Sequence, residues 1–270
     1  MSTTDISAAQ VKQLRDLTGA GMMECKRALQ ETSGDLTAAQ VYLRERGLAQ
    51  AGKRAGRATS EGRVATIVAD GVGSIVGVGC ETEPVSKNEE FLAFVDQVLE
   101  AVHTKGLDAV DELEQERLEL IGKLGENIVV VGKARFDRTQ AGTIAAYVHP
   151  PANKIGVLVA LEGGTEELAR QVAMHVSFAA PEWTTRDEVP GEALDAERQI
   201  FLNSDEVQSK PEAAREKIVD GMLAKRFYAA SPGGVLVDQA WIHDSSKTVG
   251  QALQEAAASI RAFTRVSVAA

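Results

Sequence analysis

Apolar residues in the first fifty positions recur at helical spacing, in three short stripes. Val11, Leu14 and Leu17 share one side of a first helix, which Ser7 can cap and Gly19 and Gly21 break. Met22, Cys25 and Leu29 mark a second, from about Met22 to Glu31. Gly34 ends it, Asp35 can cap a third, and Leu36, Ala39 and Leu43 form the third stripe, which Gly47 is expected to stop. A core made of ~40 residues is marginal on its own, so this three-helix N-terminal module, residues 1–48, is expected to serve contact. Residues 49–62 turn Gly/Ala/Ser-rich and basic without large apolar side chains, the composition of a linker.

From 63 the period shortens to two. Arg63 to Ala69 and Ser74 to Val78 are β-branched runs separated by Asp70-Gly71-Val72-Gly73, a hairpin signal. A helix follows from about Asn88 with Phe91, Val95, Val98 and Val102 on one face, then a charged helix over 108–123 and strands over 127–136 and 142–148. Strand, loop, strand and helix then recur: strands at Thr143–Val148 and Lys154–Leu161, and a helix from Thr165 with Leu168, Val172 and Val176 in line. The repeated order predicts an internal duplication, two similar α+β subdomains with antiparallel sheets at 63–140 and 141–270. Within the second, 191–228 reads as a protruding helical hairpin interrupted at Ser209-Lys210-Pro211. Pro232-Gly233-Gly234 marks a turn, a last helix covers about 248–258, and 260–268 alternates like a closing strand. The fold class is therefore α+β.

Composition changes the picture mainly by exclusion. At 270 residues the chain has room for two domains. It carries 44% hydrophobic and 25% charged residues, contains no run long enough to span a membrane, and opens without a basic, apolar leader. Cys25 and Cys80 stand far apart, so neither a disulfide scaffold nor a zinc site is expected, and the expected location is the cytoplasm. A net charge of -10 and 4% aromatic content disfavour direct nucleic-acid binding.

Candidate chemistry is sparse. Gly47 to Lys53 matches G-x-x-x-x-G-K, but a helix precedes it and Arg54 stands where a magnesium-holding Ser or Thr belongs. Gly71 to Gly77 resembles a dinucleotide loop yet leads into a strand, without the helix N-terminus a pyrophosphate needs. No two of His103, His149, His175 and His243 have metal-ligand spacing on a helix, and neither cysteine has a base nearby in sequence. His175 reads as an ordinary core or surface histidine. His149, before Pro150-Pro151, can reach a partner from a tight connection. Met22-Met23 open a helix in a very small module, where at least one is expected to face out as an adaptable contact. Cys80 to Val85 form a loop displayed between a strand and a capped helix.

These last two features carry a resemblance. Leu14-Arg15 followed by Thr18-Gly19-Ala20-Gly21-Met22-Met23-Glu24-Cys25-Lys26-Arg27-Ala28-Leu29 resembles the N-terminal signature of the elongation factor Ts family. Cys80 to Val85 resembles its C-x-T-D-F-V loop, and Lys123 to Ile128 its K-I-G-E-N-I. Ile155 to Val159, Ala173 to Val176 and Ser246 to Gly250 are similar to its later signatures, so the resemblance runs through the chain. It implies a ubiquitin-associated-like N-terminal module docking on elongation factor Tu, and a guanine-nucleotide exchange factor that promotes GDP release in translation elongation. The implied function needs no bond-making chemistry, catalytic residue, metal or cofactor. The implied partner is elongation factor Tu, GDP-bound or nucleotide-free, with no nucleic acid or membrane; a homodimer through the 191–228 hairpin is among the expected assemblies. Implied contacts are Arg15, Met22, Met23, Leu124, Gly125 and His149, and Thr82, Glu83, Pro84 and Val85 form the implied magnesium-displacing loop. Here Glu83 stands for the family's Asp and Pro84 for its Phe, which lengthens one arm and replaces an aromatic wedge by a stiff ring. Longer members continue past the last strand with a further segment that touches the partner.

Overall fold

The structure is a computed structural model and describes residues 6–54, 56–137 and 142–268, with backbone alone at 48–51. Three helices open it: α1 (Ala8–Thr18), α2 (Met22–Glu31) and α3 (Leu36–Arg54). A reciprocal cap starts α1, where Ser7 Oγ accepts from Gln10 N–H and Gln10 Oε1 accepts from Ser7 N–H. Val11, Leu14, Cys25, Ala28, Leu29 and Ala39 form the module's small core. Leu17 and Met22, spaced to join the stripes, stand exposed instead.

Two expectations about this region change. Gly47 does not stop α3, which continues to Arg54, so the first part of the expected 49–62 linker is helix. The reason is packing: α3 lies on α6 (Glu114–Leu124), and Gly47 meets Gly122 there. A Cβ on Gly122 would sit 3.1 Å from the Gly47 Cα. Contact at that distance offsets the ~1 kcal/mol that a mid-helix glycine costs. By the same fact the Gly47–Lys53 stretch is helical and forms no phosphate loop.

The body consists of two matching halves. In the first, β1 (Glu61–Ala69), β2 (Val72–Cys80) and β3 (Val129–Asp137) form an antiparallel sheet in that order. In the second, β4 (Thr143–Val148), β5 (Ile155–Glu162) and β6 (Ser259–Ser267) do the same. Asp70 and Gly71 both take positive φ, as a primed two-residue hairpin turn requires, and Gly71 leads into β2 rather than a helix. Each third strand carries one extra residue against the middle strand, Val131 opposite the Gly77/Val78 step and Arg261 opposite Ala160/Leu161. This shared bulge is the duplication expressed in backbone geometry. The boundary expected between the halves, 140/141, lies outside the described residues.

The sheets stack face to face through Val64, Ile75, Ala134, Ile144, Leu158, Ala160 and Val266. Glycines permit the approach: a Cβ on Gly77 would lie 2.4 Å from Val266, and one on Gly156 2.5 Å from Val64. Alternate residues of each middle strand bury the outer faces. Val76 and Val78 pack with Phe91, Val95 and Val98 of α5 (Glu89–Lys105), while Val157, Val159 and Leu161 pack with Val172 and Val176 of α7 (Glu166–Ala179). The layers run helix, sheet, sheet, helix, a mixed α+β architecture. Asn88 and Thr165, near which the pattern starts the two covering helices, cap them.

The charged 108–123 segment begins as a 3-10 stretch, Leu107–Leu113, before α6. The hairpin comprises α8 (Gly191–Leu202), α9 (Asp205–Gln208), α10 (Glu212–Met222) and a π-helical continuation, Leu223–Tyr228, around its own core of Phe201, Val207, Val219, Met222 and Leu223. The last helix, α11 (Val249–Glu255), is capped reciprocally by Thr248 and Gln251.

His175 is buried and couples three segments. Gln239 donates its amide hydrogens to carbonyls of Ala179, Ala230 and Gly233, so its oxygen must accept from His175 Nε2 at 2.9 Å. His175 Nδ1 then accepts from Ile242 N–H at 3.4 Å, and the ring stacks on Trp241. Burial pushes its pKa down, with neighbouring His243 adding to the effect. The depressed native value makes the neutral ring the folded form, whereas the unfolded ring protonates near ~6.5. Stability is therefore fully present above that pH and falls as pH drops below it, because the unfolded chain takes a proton the native ring refuses. Thermal unfolding at pH 7 and pH 5 should show a lower melting temperature at pH 5, and His175→Gln should flatten that difference. An equal pH dependence in the variant would place the effect elsewhere.

Candidate functional site

The loop that follows β2 is held from a distance. Its residues 83–86 form a single helical turn, α4 (Glu83–Ser86), with Thr82 in extended conformation before it. Pro84 occupies the first turn, where the missing N–H is not needed, so the proline suits the local backbone. Glu126 clamps the loop: its Oε2 accepts from the N–H groups of Glu81 and Thr82, each at 3.0 Å, and its Oε1 from the Thr82 hydroxyl at 2.5 Å. Bonds from N–H and O–H groups to an ionised carboxylate are the stronger kind. Glu81 returns the contact, accepting Asn127 N–H at 2.7 Å, while the Asn127 side chain donates to Arg57 O at 2.8 Å. Arg57 also approaches Glu81 at 3.4 Å, so the chain leaving α3 is pinned here as well.

What the loop presents is then defined. Thr82, Glu83 and Pro84 are exposed and Val85 is half-buried. Glu83 pairs with Lys87 at 2.7 Å, and that ammonium holds the carboxyl below its usual pKa. The pair is fully solvated, so releasing Glu83 to another cation costs little. Cys80 behind the loop is buried; desolvation, then the carboxylates of Glu126 and Glu61, push its thiol up to about 12. It remains a thiol and donates to Thr82 O at 3.4 Å. Burial also raises Cys25. Neither is a nucleophile.

The other expected contacts assemble around the same segment. Arg15 lies in the last turn of α1, and Met22 and Met23 open α2, so all three flank the Gly19–Gly21 turn. Both methionines are exposed, at 56% and 71%, where the sequence required only one. That turn sits on Lys123: a Cβ on Gly19 would lie 1.9 Å from its Cε. Lys123 itself pairs with Glu90 of α5. Leu124 and Gly125 close α6, Gly125 with the positive φ of a helix end. The short run Lys123–Asn127 therefore touches the module at one end and the 81–85 loop at the other.

His149 stands apart but on related structure. It is exposed, with Nδ1 3.0 Å from the Tyr147 hydroxyl, on the β4–β5 connection. That connection docks on β1 through Val64 N–H to Asn153 O at 2.8 Å and Lys154 to Glu61 at 2.5 Å, and Glu61 pairs across the sheet with Cys80. Glu126 is the important residue that sequence reasoning did not single out. It lay inside a quoted motif, and only its partners reveal its role.

No three of His, Cys, Asp and Glu gather to hold a metal among the described residues, and no helix there is long and apolar enough to cross a membrane. The fold defines a class: a mixed α+β protein of two matching halves, with a three-helix module and the 81–85 loop tied to one short segment, Lys123–Asn127. Residues 81–270 match the family model described as Elongation factor TS. The chain is 42% identical to the elongation factor Ts of Alkalilimnicola ehrlichii over 276 residues, covering 97% of this chain and 92% of that protein. It is 41% identical to that of Thioalkalivibrio sulfidiphilus over 275 residues and 40% to that of Xanthomonas campestris pv. campestris over 277, with 97% and 98% of this chain covered and 92% of each relative. The chain belongs to the elongation factor Ts family, translation elongation factors that act by binding and make no bond.

Proposed function

We propose that this chain is a guanine-nucleotide exchange factor that binds elongation factor Tu, GDP-bound or nucleotide-free, in the cytoplasm and promotes GDP release by perturbing its magnesium and phosphate site. The observation that carries this reading is the Lys123–Asn127 segment, which holds the methionine-bearing module and the 81–85 loop at a set separation. Arg15, Met22 and Met23 supply binding on one region of the partner, with Leu124, Gly125 and His149 as further contacts. Thr82, Glu83, Pro84 and Val85 then meet the segment beside the nucleotide. Mg²⁺ demands near-ideal octahedral geometry, so a small displacement of its surroundings weakens it disproportionately. Linkage is reciprocal: the factor weakens GDP by the ratio by which GDP weakens the factor. A ~10⁴-fold weakening requires about 5.5 kcal/mol of differential binding, which one loop does not provide and several contact regions together do.

Release of fluorescent GDP from purified elongation factor Tu, followed by stopped flow, tests the reading. Substoichiometric amounts of this chain should accelerate release strongly. Met22→Ala should raise the concentration needed for half-maximal effect, and Glu83→Ala should lower the rate at saturation. No acceleration by the parent chain, with the partner folded and from the matching source, would sink the proposal.

A further inference from the structure

Between α7 and the second sheet a cleft of about 700 Å³ opens beside His149. Arg265 of β6 lines it, and its Nε donates to Ser177 O at 3.4 Å. No carboxylate pairs with this guanidinium among the described residues, and burial alone pushes its pKa down. The rim is Tyr147, His149, Met174, Phe178 and Ile242, with no acidic residue although the chain carries a net charge of -10. Phe178 is 76% exposed on a helix whose buried face, with Val172, Ala173 and Val176, builds the core, and Ile242 is 42% exposed. A half-desolvated arginine among aromatic, methionine and aliphatic side chains has the make-up of an interface centre. An unanswered, partly buried cation is costly to keep, and a carboxylate arriving with an apolar surround would relieve it.

We infer that this cleft receives an acidic side chain of the partner protein, set among apolar residues that cover Phe178 and Ile242. This deepens the exchange reading and rests on it, since His149 makes the cleft continuous with the proposed contact surface. One arginine amid apolar groups suits a single carboxylate better than a polyanion, whose binding grows with the number of cations.

Affinity for nucleotide-free elongation factor Tu, titrated at low and at physiological salt, tests the inference. Arg265→Met should bind about tenfold more weakly, with a shallower salt dependence, and Arg265→Glu more weakly still. Phe178→Ala should weaken binding and leave the salt dependence as in the parent. Equal affinity and salt dependence for Arg265→Met and the parent would overturn the inference while the exchange reading stands, and so would equal affinities for the Met and Glu variants. A parent chain that does not bind overturns both. Binding of a single-stranded RNA oligonucleotide that Arg265→Met abolishes would assign the cleft to phosphate and also overturn it.

Discussion

Glu126→Ala is expected to slow the GDP release that this chain promotes by about tenfold or more, while the body stays folded. The substitution leaves the N–H groups of Glu81 and Thr82 and the Thr82 hydroxyl without their carboxylate. Bonds to a charged group contribute ~1.5–3 kcal/mol when buried. These are partly solvated, so about 2 kcal/mol for the set is a reasonable discount, and 1.4 kcal/mol is a factor of ten. The loss falls on loop order: without the clamp, Glu83 and Pro84 sample positions that do not meet the partner. Glu126→Gln supplies the control. Its amide oxygen can keep the two backbone donors and its NH₂ can face Thr82 Oγ1, so it should recover much of the rate. The defect should appear at saturating factor rather than in the half-maximal concentration. Parent-like exchange by Glu126→Ala would show that the loop's position does not depend on this clamp.

Gly122→Val is expected to produce the second large effect, through the angle at which the module meets the body. The closest approach of α3 and α6 has a Cβ at Gly122 only 3.1 Å from the Gly47 Cα, already tight for alanine. A valine must push the helices apart, and overpacking of this sort costs ~1–3 kcal/mol. The surrounding ties are weak individually. Arg44 and Glu119 pair at 3.1 Å on the surface, with both side chains largely exposed. The module's own core does not involve Gly122, and although Leu120 and Ile121 of the same helix belong to the core under the first sheet, Gly122 itself does not. The module should therefore stay folded but be displaced, so that Met22–Met23 and the 82–85 loop no longer engage together. Half-maximal exchange should need about tenfold more factor, with smaller effects from Gly122→Ala. Spin labels on α2 and α5 should show a broadened distance distribution. A narrow, unchanged distribution would mean that other contacts set the angle.

Both effects arise between residues far apart in the chain, and this divides what was legible beforehand from what was not. Stripes such as Phe91, Val95, Val98 and Val102, the Asp70-Gly71 turn, and the caps at Ser7, Asn88 and Thr165 are local, because periodicity and turn chemistry act within a few residues. From them the helices, the hairpins, the duplicated order of strands and the α+β class could be read, and the motif around Met22 and Met23 and the one from Cys80 to Val85 pointed to the family. The chain by itself did not show that α3 passes through Gly47, because only the facing Gly122 makes a helical glycine worthwhile there. Nor did it show that Leu17 and Met22 leave their stripes for the surface, since the three-helix core fills before reaching them. Glu126 and Thr82 are 44 residues apart, and Arg265 and Ser177 88. Such pairings depend on how helices and loops pack against the sheet within each half, and that packing is decided by side chains on several elements at once. Local pattern thus determined which elements form and which family they belong to, whereas tertiary packing alone decided which residues hold the loop, orient the module and leave one arginine facing an apolar cleft.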